Sequence, residues 1–251
     1  MDIFVLGDDK RMQAVKEEAL RRGHQLTEAD CCHVGLLPLP DSNEHALQLA
    51  GINGRDRLLL HGRLSASLRQ TLSDRGWQLK DIQADEDYIR KNALISAEGA
   101  LYAAMAHTDF ALRGAKCAVV GYGRIAKELT RLLLSFGAEV HVAARKKRAR
   151  LAAWLRGARP FHTEDLITAF DGVQIVFNTV PCPIITPEVL RSLPPETLLI
   201  ELASPPYGFD RKKAAGLKLN AVLESGIPAR YAPRTAARLL MDYLEAGERH
   251  A

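Results

Sequence analysis

From residue 114 onward the chain repeats one pattern: a short, largely apolar run, then a longer stretch with helical spacing of its apolar positions. The runs are Lys116–Val120, Glu139–Ala143, Val173–Phe177, Leu198–Leu202 and Leu217–Val222, and they read as strands. Punctuation fits the helices between them. Gly137 closes the first, Thr163 and Thr186 stand as N-caps, Pro187 takes a first helical position, and Pro194–Pro195 ends that segment. Strand, helix, strand at this spacing means parallel pairing with right-handed crossovers, so the fold class is α/β with a doubly wound sheet.

A shorter unit of the same kind precedes it. Residues 2–6 open as a strand, a helix runs from about Lys10 to Arg22, strands fall near Val34–Leu37 and Arg57–Leu60, and a helix spans Ser65–Arg75. Between the units an interdomain helix is expected over residues 96–108, capped by Ser96 and favoured by Glu98 near its positive end. Leu239, Leu240, Tyr243 and Leu244 fall at helical spacing within Pro233–Ala246. The resulting plan is a smaller α/β domain over 1–90, a doubly wound domain over 91–226, and a C-terminal helix in 227–251 packing across both. Neither repeats nor low-complexity tracts occur.

Composition changes this picture little. The chain has 251 residues, 47% apolar and 25% charged, with Lys+Arg 34 against Asp+Glu 30 for a net charge of +4. Such a balance is ordinary for a globular protein and too mildly basic to imply nucleic acid. No run approaches the roughly 20 apolar residues of a membrane helix, and Met1–Gly7 reads as a strand, so a cytoplasmic protein with no membrane contact is expected. Cys31, Cys32, Cys117 and Cys182 lack CxxC spacing, and the eight histidines lack HxxxH pairing. Reduced thiols and no bound metal follow as expectations.

The chemistry concentrates where strands end. Val119-Val120-Gly121-Tyr122-Gly123-Arg124-Ile125-Ala126 is a GxGxxA directly after one strand and at the opening of a helix. Gly121 permits the tight turn, Gly123 lets a pyrophosphate approach the backbone, Ala126 allows close helix packing, and the helix start offers N–H groups to phosphates. Where the next strand ends, an NAD enzyme usually places Asp or Glu, but this chain reads Ala143-Ala144-Arg145-Lys146. Arg145 suits a 2′-phosphate and Lys146 adds charge, which favours NADP over NAD; a solvated basic helix start fits the same residues. Asn178-Thr179-Val180-Pro181 follows the third strand, where Asn178 and Thr179 either contact nicotinamide or ribose or cap a turn. Ala203 and Ser204 lie in the loop after the fourth strand, bordering the nicotinamide side.

In the first unit, Leu6-Gly7-Asp8-Asp9-Lys10-Arg11 lacks a GxGxxG and suits a small anion instead. Arg11 beside a helix start would hold a carboxylate, whereas the plainer reading has Asp8 as an N-cap and Arg11 solvated. His61-Gly62-Arg63 is a second candidate wall.

Taken in order, Asn92–Ala100, His107-Thr108-Asp109-Phe110, Gly114, the Gly121–Arg124 turn, Ala143-Ala144-Arg145, Asn178–Pro181, Leu202-Ala203-Ser204 and Ala232-Pro233-Arg234-Thr235-Ala236 resemble the A subunit of dipicolinate synthase. The resemblance is specific from about residue 90 to 240. It is thinner before that, where Gly7–Arg11 is similar to the family's Gly-Asp-x-Arg turn. It implies a cytoplasmic, NADP-linked dehydrogenase of the mother cell of spore formers. The substrate would be a dihydrodipicolinate-type dicarboxylate of the lysine and diaminopimelate pathway, oxidised to dipicolinate. The partner would be the synthase's flavoprotein-like B subunit. A homo-oligomer is also expected.

On that reading Gly121, Tyr122, Gly123, Arg124, Ile125, Ala144, Arg145, Lys146, Asn178, Thr179, Val180, Pro181 and Ala203 face the cofactor. Arg11, Arg234, Ser96 and Ser204 face the substrate, and Glu98, His61 and Asp9 are candidate general bases. The chain departs from the family in a shorter N-terminal unit, in Pro205-Pro206-Tyr207-Gly208, and in Ala229 and Ala237 at glycine positions. Rival readings are a shikimate or methylenetetrahydrofolate dehydrogenase-like reductase, whose loop resembles Asn178–Pro181, and a non-catalytic NADP-binding regulatory subunit.

Overall fold

The computed structural model describes residues 1–55 and 57–248. Contacts divide the chain into one unit of Met1–Ile95 joined by the segment from Pro228, and another of Ser96–Ile227.

The first unit contains β1 (Asp2–Val5), α1 (Lys10–Arg21), β2 (Gln25–Leu26), β3 (Val34–Leu36), α2 (Asn43–Leu49), β4 (Leu58–His61), α3 (Ala66–Asp74) and β5 (Gln78–Asp81), followed by the start of α4 (Glu86–Ala106). Its five strands are all parallel, in the order β2-β1-β3-β4-β5. Strand alternation sends Ile3, Val5 and Leu60 to one face with Met12 and Val15 of α1, and Leu59 to the other with Leu72 and Trp77.

The second unit contains β6 (Lys116–Val120), α5 (Arg124–Ser135), β7 (Glu139–Ala143), α6 (Lys147–Trp154), β8 (Arg159–Phe161), α7 (Leu166–Ala169), β9 (Ile175–Asn178), α8 (Pro187–Arg191), β10 (Leu198–Glu201), α9 (Arg211–Gly216) and β11 (Asn220–Leu223). α10 (Ile227–Tyr231) and α11 (Pro233–Glu248) follow, and α11 packs on α1 within the first unit. The six strands are parallel, ordered β11-β10-β9-β6-β7-β8. Chain direction therefore reverses between β6 and β9, and ligands of such sheets bind outside the strand ends at that reversal.

Several local expectations need correction. Ser96 and Glu98 do not start a helix, because α4 begins at Glu86 and carries both in its interior. Asp9, not Asp8, caps α1: its Oδ1 accepts from the N–H groups of Arg11 and Met12, at 2.8 and 2.9 Å. Thr163 lies in a turn, and Asp165 stands at the start of α7. Thr186 does cap α8, with Pro187 next to it. No helix among the described residues is long and apolar enough to cross a membrane, and among the same residues no cluster of three or more His, Cys, Asp or Glu could hold a metal ion.

Candidate functional site

The reversal point of the second sheet is built on Gly121. Its φ of +96° is open to glycine at little cost, and a Cβ here would collide with Thr179 Oγ1 and press on Val180. Thr179 is drawn in by Val120, whose carbonyl accepts from the Thr179 amide at 3.0 Å and from its hydroxyl at 2.8 Å. The turn after β6 and the loop after β9 thus lock together, and the chain leaves directly into α5.

Gly123 is the N-cap of α5 and makes no side-chain cap bond, while a Cβ there would meet nothing within 4 Å. The helix start consequently presents uncapped N–H groups beside open space, as a pyrophosphate requires. Ala126 is fully buried beneath it. Tyr122 is buried, its hydroxyl accepting from Arg156 Nη1 at 3.1 Å; Ile125 is half-buried. At the end of β7, Ala144 is buried whereas Arg145 and Lys146 are exposed, and Lys146 is the N-cap of α6 without a side-chain cap bond. Arg150 Nη1 braces this turn through the carbonyls of Ala144 and Arg145, at 2.8 and 2.6 Å. These residues fit a dinucleotide: a glycine cradle and free helix N–H groups for phosphates, with exposed cations after the next strand.

In the loop after β9 the side chains take the turn-capping alternative. Asn178 is fully buried, and its Nδ2 donates to Glu201 Oε1 at 2.6 Å and to the Val180 carbonyl at 3.0 Å, while its Oδ1 accepts from Val180 N at 3.2 Å. Its amide is committed inside the protein, as is the Thr179 hydroxyl, so both side chains shape the loop instead of reaching out to a nicotinamide or ribose. Pro181 is exposed and Val180 half-buried.

Sequence reasoning missed Glu201. It is fully buried at the end of β10, where Oε1 also accepts from Ala203 N at 2.9 Å and Oε2 from Gly208 N at 2.8 Å. Burial pushes its carboxyl up, against the Gly208, Asn178 and Ala203 hydrogen bonds and the Arg211 charge. Gly208 packs so closely on Asn178 that a Cβ would collide with the amide. One carboxylate thereby ties the loops after β9 and β10. Its only sequence signal is a carboxylate inside an apolar strand, which calls for internal donors. Ser204 is exposed at the tip of that loop, and its carbonyl accepts from Tyr207 N at 3.1 Å.

In the first unit, Arg11 is not solvated: it is 4% exposed and donates through Nη2 to the Leu39 carbonyl, while its Nε has no partner. The adjoining start of α1 is not an open anion site, because the Asp9 carboxylate already occupies it. His61, at the end of β4, is fully buried. Its Nδ1 lies 2.5 Å from the Gly62 carbonyl, its Nε2 has no partner, and burial holds its pKa down. Nδ1 must carry the proton in that contact, which leaves Nε2 as a bare acceptor. Arg234 is exposed at the start of α11; Ser96 is buried within α4 and Glu98 is exposed on it.

Comparison with known proteins agrees with this construction. A family model for NAD(P)-binding domains matches residues 110–207. The A subunit of dipicolinate synthase from Bacillus subtilis (strain 168) is 35% identical over 159 residues, an alignment covering 63% of this chain and only 54% of that relative. The crystal structure of the same subunit from Bacillus halodurans is similar with a TM-score of 0.85 at 25% identity, covering 98% of this chain and 96% of that one. The Bacillus subtilis crystal structure gives 0.84 at 25% identity, covering 100% and 96%. The structural likeness therefore runs through the first unit as well. With its glycine turn, its open helix start and the family model over residues 110–207, the second unit is an NAD(P)-binding domain, and the whole chain is similar in fold to the A subunit of dipicolinate synthase.

Proposed function

We propose that this chain is an NADP-dependent dehydrogenase that oxidises a dihydropyridine dicarboxylate to the aromatic dicarboxylate, working with a flavoprotein-like B subunit in the mother-cell cytoplasm of a spore former. The observation carrying this reading is the uncapped start of α5 at the sheet's reversal point, followed after β7 by exposed Arg145 and Lys146 in place of a carboxylate. NADP, when bound, supplies the hydride acceptor. The substrate's ring carbon gives up a hydride and the ring then loses a proton, so aromaticity is gained while reduced cofactor and one proton are released.

The chain's own residues orient and neutralise. The Gly121–Ile125 turn holds the diphosphate, and Arg145 with Lys146 takes the 2′-phosphate. Arg11 is the best supported carboxylate partner, since a buried guanidinium with one carbonyl bond and a bare Nε calls for an anion. Arg234, Ser96 and Ser204 are further candidates. Among the bases, Asp9 is committed to its cap and Glu98 is exposed, whereas His61 keeps a buried Nε2 without a partner, although burial disfavours its protonated form.

An absorbance assay tests the reading: the dihydrodipicolinate precursor is generated in situ, and reduced nicotinamide and aromatic product are followed with NADP or NAD, with and without the B subunit. Product formation preferring NADP is expected, and cofactor binding without product under every condition would overturn the enzyme assignment. Arg145→Glu should weaken NADP by at least about tenfold while sparing NAD, as judged by reduced-cofactor fluorescence titration.

A further inference from the structure

The helix after β7 carries a feature that cofactor binding does not use. Leu151, Trp154 and Leu155 are 55%, 60% and 71% exposed, and their i, i+3, i+4 spacing puts them on one side of α6. Around them the segment from Arg145 to Arg159 contains seven Lys or Arg and no Asp or Glu, so the chain's net positive charge resides here and the remainder is net negative. Three of the seven have partners on their own unit: Arg150 on the Ala144 and Arg145 carbonyls, Arg156 on Tyr122, and Arg159 over the Phe161 ring. Lys147 and Arg148 remain exposed at the start of the helix.

We propose that the α6 face is a docking surface for a separate protein with an acidic rim and an apolar centre. The proposal rests on the function above only in naming that protein, the second subunit of the synthase. An exposed Trp beside two exposed Leu, in a segment rich in Arg and Lys, is the composition of an interface centre, where Trp and Arg dominate the binding energy. The charge decides what kind of partner fits. A second copy seated symmetrically on this face would set one cationic segment against another, a like-charge contact that disfavours self-association here. An acidic partner gains both faster encounter and register from the same charges. A lipid surface is the weaker fit, since α6 has only 8 residues and offers three apolar anchors.

The test titrates the purified B subunit from the same organism onto the full chain by biolayer interferometry, at about 50 and about 300 mM salt. Binding that weakens at the higher salt is expected. Trp154→Ser and Leu155→Ser should each lose at least about tenfold in affinity, and Arg148→Glu should lose affinity chiefly at low salt. Because these side chains lie in solvent, melting temperature and NADP affinity should stay unchanged. The proposal is overturned if the B subunit fails to bind, if it binds equally well to all three variants, or if Trp154→Ser alters only self-association. Loss confined to vesicles of phosphatidylglycerol and phosphatidylcholine would overturn it too. The readout is binding, so an inactive enzyme leaves it standing, and a failed interface leaves the dehydrogenase reading standing.

Discussion

Glu201 illustrates what a single side chain does in this molecule. Its carboxylate gathers donors from Asn178, Ala203 and Gly208, and so fixes two loops at the cofactor end of the sheet. In Glu201→Gln one of the three donors faces an amide N–H in place of an oxygen, and the buried mismatch should destabilise the protein by about 1–3 kcal/mol in urea unfolding. Glu201→Gln and Asn178→Ala should be non-additive by more than about 0.5 kcal/mol, because they disturb one network. A second residue-scale effect is conformational. Lys218 follows α9 with φ +59°, left-handed, although Gly216 stands two positions earlier. Lys218→Gly should therefore raise stability by about 1 kcal/mol, measurable as a higher melting temperature.

At the scale of elements, the two units open in the same way and are finished differently. α1 and α5 each follow the first strand of a parallel sheet, but Asp9 occupies the start of α1 whereas Gly123 leaves α5 open. That one difference in capping separates a closed helix start from one open to an anion. The far end of α1 is tied to α11 by charge: Arg22 meets Glu18 at 2.9 Å, Asp242 at 2.7 Å and Glu245 at 3.0 Å. Hydrogen bonding and charge from Arg21 and Arg22 hold the Glu18 carboxyl at about 2 against an ordinary 4.5. Its folded pKa is depressed, so its contribution is complete above pH 4.5 and is lost as pH falls towards 2. Denaturant unfolding between these limits should show the wild type losing stability more steeply than Glu18→Gln.

The elements differ in how plainly the chain announces them. β6 and β7 are bounded as their apolar runs suggest, since these central strands are buried at every position after the first. β2, β5 and β8 sit at sheet edges, are short or half-exposed, and β8 contains Pro160, so none carries an apolar run to recognise.

For the whole molecule, two parallel sheets each bring a chain reversal and a pair of loops to the carboxyl ends of the strands, and only the second leaves its helix start free. Cofactor binding to the folded chain alone should stabilise it by about 2.7 kcal/mol at a hundredfold excess over Kd, seen as a concentration-dependent rise in melting temperature. Equal rises with NADP and NAD would count against the role given to Arg145 and Lys146. The alternation of runs, the glycine turn and the basic residues after β7 are properties of adjacent positions, and the sequence by itself determined them: an α/β chain with one dinucleotide turn. Tertiary structure alone decided that Asn178 faces Glu201, that Arg11 is buried on Leu39, and that Leu151, Trp154 and Leu155 face solvent. The reason is physical: periodicity is set by neighbours along the chain, whereas a side chain's partner is chosen among residues that only folding brings within hydrogen-bond reach.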